Sequence, residues 1–512
     1  MESDMSKHIP QKVLIVGGGT AGWMTANLML AAWADQGVQV SLVESPDVGI
    51  IGVGEGSTPV LKRFFTMAGI PEREWMPACN ATYKAGIRFI GWSSRPGYES
   101  YFHPFFSTFD EHPIRTFLSD ADRHRCNQAS GVHPDPYFLT SQLANDKLSP
   151  RPGLGQLKDQ IDYGYHFDSG LLGEFLRKQA VKKGLRYIRD HVEVVERGRD
   201  GAISQITTRA SGALSADLYV DCTGFSGLLI KEALGERLIS FKNNLFNDSA
   251  MAVQTPMDTN APIAPETRSE ALSAGWVWNI PLFNRYGNGY VYSSDFISRD
   301  AAETEFRAHL GLLEADVAVR HLSMPVGRIE NHWKHNCVAI GLSQGFIEPL
   351  EATALMTVQL SIENIISFLS RAPDINQSLR ETYNANVNNV IEGIRDYIVA
   401  HFMMNSRSDT DYWRSCRNDS QPSEALDSLL RAWHSSDDFQ AELVRQGARQ
   451  SYTPASWYCL LAGYGRLPGG PSDAVASSAA SGTLGFQVLK QQHGDSLVDH
   501  RAQLKALHSL PS

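Results

Sequence analysis

The chain has 512 residues, 42% of them hydrophobic and 20% charged, with a formal net charge of −10 at pH 7. That length and apolar share support a large buried core, while the acidic balance excludes nucleic acid or an anionic membrane surface as the main partner. Six scattered cysteines show no C-x-x-C spacing, so they read as free thiols and no metal is expected.

The start, "MESDMSKHIPQ", runs straight into an apolar strand with no charged-then-apolar leader. No apolar run approaches the roughly 18 residues of a membrane span. The expectation is a soluble, cytoplasmic protein.

Val13 to Val16 form an apolar strand, followed by a glycine turn, a helical stretch and a second strand, Val40 to Val43, ending at Glu44. This is a βαβ unit of about 30 residues. Gly17, Gly19 and Gly22 give G-x-G-x-x-G: Gly17 for the tight turn, Gly19 for approach of backbone N–H groups to a pyrophosphate, Gly22 for close helix–strand packing. Gly18, Thr20 and Ala21 complete the cofactor-binding turn, and Glu44 is spaced to accept hydrogen bonds from ribose hydroxyls.

A helix up to Lys183 leads to a strand near Leu185 to Ile188, then a hairpin turning at Arg199 to Gly201, then the buried strand of "LYVDCTGFSG". Residues 236–325 alternate like an antiparallel sheet, and "GWVWNIP" puts Trp276 and Trp278 on one face of a strand. Core packing alone would account for the pair. "NCVAIG" reads as a return strand of the first domain, and one long helical pattern runs from Thr357 to about His401. The tail from "LPGGPSDAVASSAASG" onward reads as a flexible linker to a short amphipathic end.

The expected fold is α/β: a Rossmann-like FAD-binding region (1–235, with a substrate-pocket insertion near 100–155), interleaved with an antiparallel sheet (236–325). A return to the cofactor site (326–365), a helical region (366–466) and the tail (467–512) follow. A single dinucleotide fingerprint points to FAD with reducing equivalents arriving from outside. In flavin hydroxylases the strand matching "NCVAIG" ends in Gly-Asp; here Leu342 follows Gly341, which counts against a simple hydroxylase.

"VGGGTAGWMTA" with "GVGEGSTP", "ATYKAGIRFIGW", "GWVWNIP" and "AIGLSQGFIEPLEAT" occur in order, with "DCTGFSGLLI" and "HFMMNSRSDTDYW" between and after them. In these segments the sequence resembles the flavin-dependent halogenases of the tryptophan halogenase family, over residues 13 to about 413. The resemblance implies an FADH₂-dependent enzyme that uses O₂ and chloride or bromide to make hypohalous acid. That oxidant would pass through the protein to an electron-rich aromatic, indole-like or phenolic, including free indole or tryptophan. A separate NAD(P)H-dependent flavin reductase would supply reduced flavin, and both monomer and homodimer fit.

Carried over by motif, Lys84 and Glu351 become the catalytic pair. Thr353 and Ala354 become the halide-binding amides, in an Ala-Thr-Ala run where the family usually has Ser-Thr-Gly. Trp276 and Trp278 become a gate favouring halide oxidation, and His103 and Phe105 a wall of the substrate pocket. Gly56, Val192, Leu342 and Leu355 become further flavin contacts, and Glu348 part of a strap between flavin and lysine. An aromatic hydroxylase and a non-catalytic flavin-binding protein stand as the alternatives.

Overall fold

Val13, Ile15 and Leu42 are almost wholly buried, as strands sandwiched between helices require. In the computed structural model, which describes residues 9–49, 54–126, 131–151, 161–372, 375–435, 438–447, 451–468 and 497–509, they belong to a six-stranded sheet. Its order is Trp333–Lys334, Cys337–Ala339, Leu218–Asp221, Lys12–Val16, Gln39–Glu44, Arg186–Arg189. All neighbours are parallel except the first pair. The sheet is thus assembled from three separated stretches of chain, and Cys337–Ala339 is the return strand.

A seven-stranded sheet runs Arg320–Ser323, Ser249–Pro256, Arg285–Tyr292, Gly275–Pro281, Glu266–Ala271, Gly86–Ile90, Ser100–Pro104. The sheet reaches outside residues 236–325, because its last two strands come from before residue 105. Glu266–Ala271 pairs with Gly86–Ile90 in parallel, and the other neighbours are antiparallel. Gly54–Gly56, Gly164–Asp168 and Thr82–Lys84 form a small antiparallel sheet between the two large ones in the chain's path.

The long helical pattern is two helices, Ala354–Arg371 and Gln377–Met403. Ala372 between them is extended, with φ −74° and ψ 133°. It precedes Pro373 in the sequence, and a residue before proline is pushed out of the α region by the proline ring.

The linker expected within the tail lies, for residues 469–496, outside the described residues. Beyond it, the short amphipathic end is helix His500–His508, and it is no part of a flexible tail: His500, Arg501 and Leu504 are buried, and Arg501 donates to the carbonyls of Ala261 and Phe283. Five of the six cysteines are buried and all are free thiols. Among the described residues no helix is long and apolar enough to cross a membrane.

Candidate active site

The glycine turn is built by close approach. Gly17 has φ +114°, and a Cβ there would lie 2.2 Å from the Cys222 carbonyl oxygen. A Cβ on Gly22 would lie 2.0 Å from the Gly17 carbonyl oxygen, so helix Thr20–Ala32 packs on the strand only without one. Gly19 faces open space, with no atom within 4 Å of its would-be Cβ. The first-turn N–H groups of the helix, which lack intrahelical partners, stand beside that space. Those residues fit a dinucleotide pyrophosphate.

One cavity of about 740 Å³ begins at this turn, within the size range of ligand sites. Of the expected cofactor contacts, Gly17, Gly18, Gly19, Thr20, Ala21 and Glu44 line it, as do Gly56, Val192, Leu342 and Leu355. Gly22 does not, since it is used in packing. Glu44 already accepts a hydrogen bond from the Tyr187 hydroxyl at 2.6 Å through Oε2.

The same cavity is walled by Trp276, Trp278, Lys84, Thr353 and Ala354. The two tryptophan rings lie 6.1 Å apart at 56°. Trp276 sits opposite Val291 and Trp278 opposite Gly289 in the strand register. Trp278 lies across Gly289, where a Cβ would come within 2.0 Å of the indole. The Trp276 N–H donates to Glu348 Oε2 at 2.6 Å, and Asn247 donates to the same oxygen at 2.9 Å. Burial pushes the Glu348 carboxyl up to about 7, although both donors oppose the shift.

Lys84 ends strand Thr82–Lys84 and is fully buried. Its Nζ has no hydrogen-bond partner among the described residues, and it lies 5.3 Å from the centre of the Phe105 ring. Burial lowers its pKa to about 7, partly opposed by the Glu351 charge. His166 on the neighbouring strand sits between Thr82 and Thr267, at 3.2 and 2.8 Å. Burial, and then the Lys84 charge, holds it well below the usual histidine range, so no second cation competes beside the lysine.

Glu351 does not line the cavity, although Leu350 and Ala352 do. Its side chain is clamped between two histidines: Oε2 to His103 Nδ1 at 3.0 Å and Oε1 to His401 Nε2 at 2.9 Å. Burial pushes the carboxyl up, but the two histidines outweigh it and hold it at about 2. A carboxylate can only accept, so both ring nitrogens donate to it. The Tyr464 hydroxyl then meets the remaining nitrogen of His401, Nδ1, at 2.8 Å, and burial lowers the pKa of that imidazole. His103 Nε2 is buried without a partner among the described residues.

His103 and Phe105 therefore touch the two candidate catalytic side chains, one each, and neither lines the cavity. His401 and Tyr464 were missed in the sequence. A single histidine on the apolar face of a long helix carries no signal until the fold brings it to a carboxylate 50 residues away. Tyr397 backs both histidines, with ring centres at 6.1 and 5.2 Å, and Tyr452 stacks on it at 3.6 Å.

Ala354 is the first residue of helix Ala354–Arg371, and Thr353 is its cap. Neither needs glycine's freedom. The left-handed residue is Ala352, at φ +56°.

A family model for tryptophan halogenase matches residues 12–480. The tryptophan 6-halogenase of Streptomyces toxytricini is 39% identical over 495 residues, 92% of each chain. The tryptophan 7-halogenase of Lentzea aerocolonigenes is 35% identical over 498 residues, 91% of each chain. Among solved structures, the tryptophan C-6 flavin-dependent halogenase (chlorinase) from taromycin biosynthesis superposes with a TM-score of 0.85 at 35% identity, covering 98% of this chain and 100% of that one. Fold and matches together define a flavin-dependent halogenase. The chain belongs to the tryptophan halogenase family. The matches favour neither the hydroxylase nor the non-catalytic reading.

Proposed function

We propose that the chain takes FADH₂ from a separate NAD(P)H-dependent flavin reductase and, with O₂ and chloride or bromide, halogenates an indole ring, free or in tryptophan. The observation that carries this reading is that one cavity is lined both by the glycine turn and by Lys84, whose Nζ has no hydrogen-bond partner among the described residues.

The Gly17–Gly22 turn and the first amides of helix Thr20–Ala32 hold the pyrophosphate, and Glu44 takes ribose hydroxyls. When bound, the reduced flavin supplies with O₂ the two-electron oxidation that turns halide into hypohalous acid. Thr353 and Ala354, at the N-terminus of an 18-residue helix, offer backbone N–H groups and a positive dipole end to the halide. Trp276 and Trp278 fill the wall between and exclude an organic substrate from the flavin while a small oxidant passes.

The Lys84 ammonium donates a hydrogen bond to hypohalous acid and polarises it. The ring attacks the halogen: a carbon–halogen bond forms, the oxygen–halogen bond breaks, and the leaving hydroxide takes the Lys84 proton and departs as water; the ring proton released next makes up for it. Glu351, kept ionised, orients the oxidant and accepts the ring proton as aromaticity returns; each oxygen keeps a lone pair beyond the one its histidine occupies. His103 and Phe105 set the position of this pair from the substrate side.

The test is mass spectrometry of reactions with FAD, NADH, a flavin reductase, O₂, and bromide or chloride, over indole, tryptophan and phenols. A halogen isotope pattern that disappears in Lys84→Ala is expected. Oxygen insertion without halogen in the wild-type protein would overturn the reading.

A further inference from the structure

Lys84 closes a strand that has an open edge. Tyr165 stands opposite Tyr83 in register but turns its own backbone toward Ser57: Ser57 N–H donates to the Tyr165 carbonyl at 2.8 Å, and Tyr165 N–H to Ser57 Oγ at 3.0 Å. The Tyr83 N–H therefore points out of the small sheet, at an edge where an unmatched donor is costly. Two residues on, the Ala85 N–H reaches the Pro265 carbonyl at 2.6 Å, and from Glu266 the chain runs parallel to Gly86–Ile90. Upstream of Pro265 that direct pairing stops.

The gap is bridged by the imidazole of His500. Its Nε2 accepts from the Tyr83 N–H at 3.2 Å, and its Nδ1–H donates to the Ile263 carbonyl at 3.1 Å. One tautomer of a neutral ring satisfies both bonds. Burial supports that state by lowering the pKa to about 4. The ring is itself held: the His500 N–H donates to the Lys147 carbonyl at 3.1 Å, and Asp499 caps the helix through the Ala502 N–H at 2.8 Å. Arg501 ties the facing loop by donating to the Ala261, Phe283 and Asp258 carbonyls.

We infer that His500 is a positioning residue for Lys84: its ring completes the β-ladder beside the lysine, so that Tyr83 and Ala85 are both anchored and the ammonium between them is fixed. The C-terminal helix, expected from sequence to be a trailing end, is thereby part of the catalytic frame. The inference rests on Lys84 as the residue that holds the oxidant. It goes beyond that reading by assigning what aims it.

The experiment compares His500→Phe, His500→Gln and Lys84→Ala in the full-length protein. Gln keeps an acceptor near the Nε2 position, and Phe keeps only the bulk. Two quantities are read. The first is amide hydrogen exchange of the peptide spanning Tyr83 and Lys84. The second is the fraction of oxidant that becomes halogenated product rather than escaping to a halogen-accepting trap in solution.

His500→Phe is expected to speed exchange of that peptide about tenfold while distant peptides stay protected. The captured fraction should fall about tenfold with oxidant generation retained, and Gln should restore most of both. Wild-type exchange and capture in His500→Phe would overturn the inference. So would oxidant generation and product falling in equal proportion, the mark of a general folding defect. A wild-type captured fraction in Lys84→Ala would instead sink the Lys84 reading, and hydrogen exchange would then decide on its own whether His500 anchors the strand.

Discussion

The indole N–H of Trp276 donates to Glu348 Oε2 at 2.6 Å, tying the tryptophan strand to the segment that carries Glu351. The other carboxylate oxygen, Oε1, is buried without a partner among the described residues. A carboxylate in this position is costly, and its raised pKa of about 7 reports that cost.

The pH dependence follows in sign. With a folded pKa near 7 against a model value of 4.5, Glu348 favours the folded state fully below 4.5, and that contribution is lost as pH rises toward 7. Glu348→Gln keeps an acceptor for the Trp276 N–H and removes the titration. Its unfolding free energy relative to wild type should therefore improve across that window, by at most about 3 kcal/mol. Denaturant melts of both proteins at a series of pH values check this, and a pH-independent difference would refute it.

Lys84, with a pKa of about 7, is half protonated near neutrality. If the ammonium donates to the oxidant, halogenated product per oxidant formed should fall as pH rises through about 7. A rise over the same range would assign the neutral amine, which could form a haloamine with loss of water. Lys84→Met should reduce product by about 10²-fold or more while oxidant is still made. Quantifying trapped oxidant and product together separates these outcomes.

Glu351 is kept ionised by His103 and His401 against the push of burial. His401→Leu removes one donor and should raise the Glu351 pKa, so the acidic limb of the halogenation profile should move toward neutral pH. Glu351→Gln should lower turnover by about 10²-fold across the whole profile. A His401→Leu enzyme with an unchanged acidic limb would mean that the pair is not coupled to turnover.

The Ala-Thr-Ala run gives a stability test. Ala352 stands at φ +56°, which costs an L-residue roughly 1–2 kcal/mol relative to glycine, so Ala352→Gly should stabilise the protein by up to about 1 kcal/mol. Ala354 is helical, and Ala354→Gly should cost up to about 1 kcal/mol. Thermal melts in which Ala354→Gly is the stabilising change would show that this geometry is wrong.

Local pattern was enough for the glycine-turn half of the cavity. The strand–glycine–helix–strand unit, the acidic Glu44 and the alternation of Trp276 with Trp278 are short-range features, and each has one physical solution: a turn without a Cβ, a helix end facing open space, two rings on one pleated face. Lys84, Glu351, Thr353 and Ala354 are proposed by motif, because they sit in contiguous runs that match a known family.

The rest was decided only by tertiary contact. Nothing local pairs Glu351 with His103 and His401, or Glu348 with Trp276, because those partners come from 50 to 248 residues away. The pKa values of about 2 and about 7 on two glutamates three positions apart follow from which donors the fold delivers to each. His500 makes the same point from the other end of the chain. In sequence it is one histidine in a short amphipathic helix. Buried at a sheet edge, with water excluded and an unmatched N–H on one side, it becomes the partner that the backbone there requires.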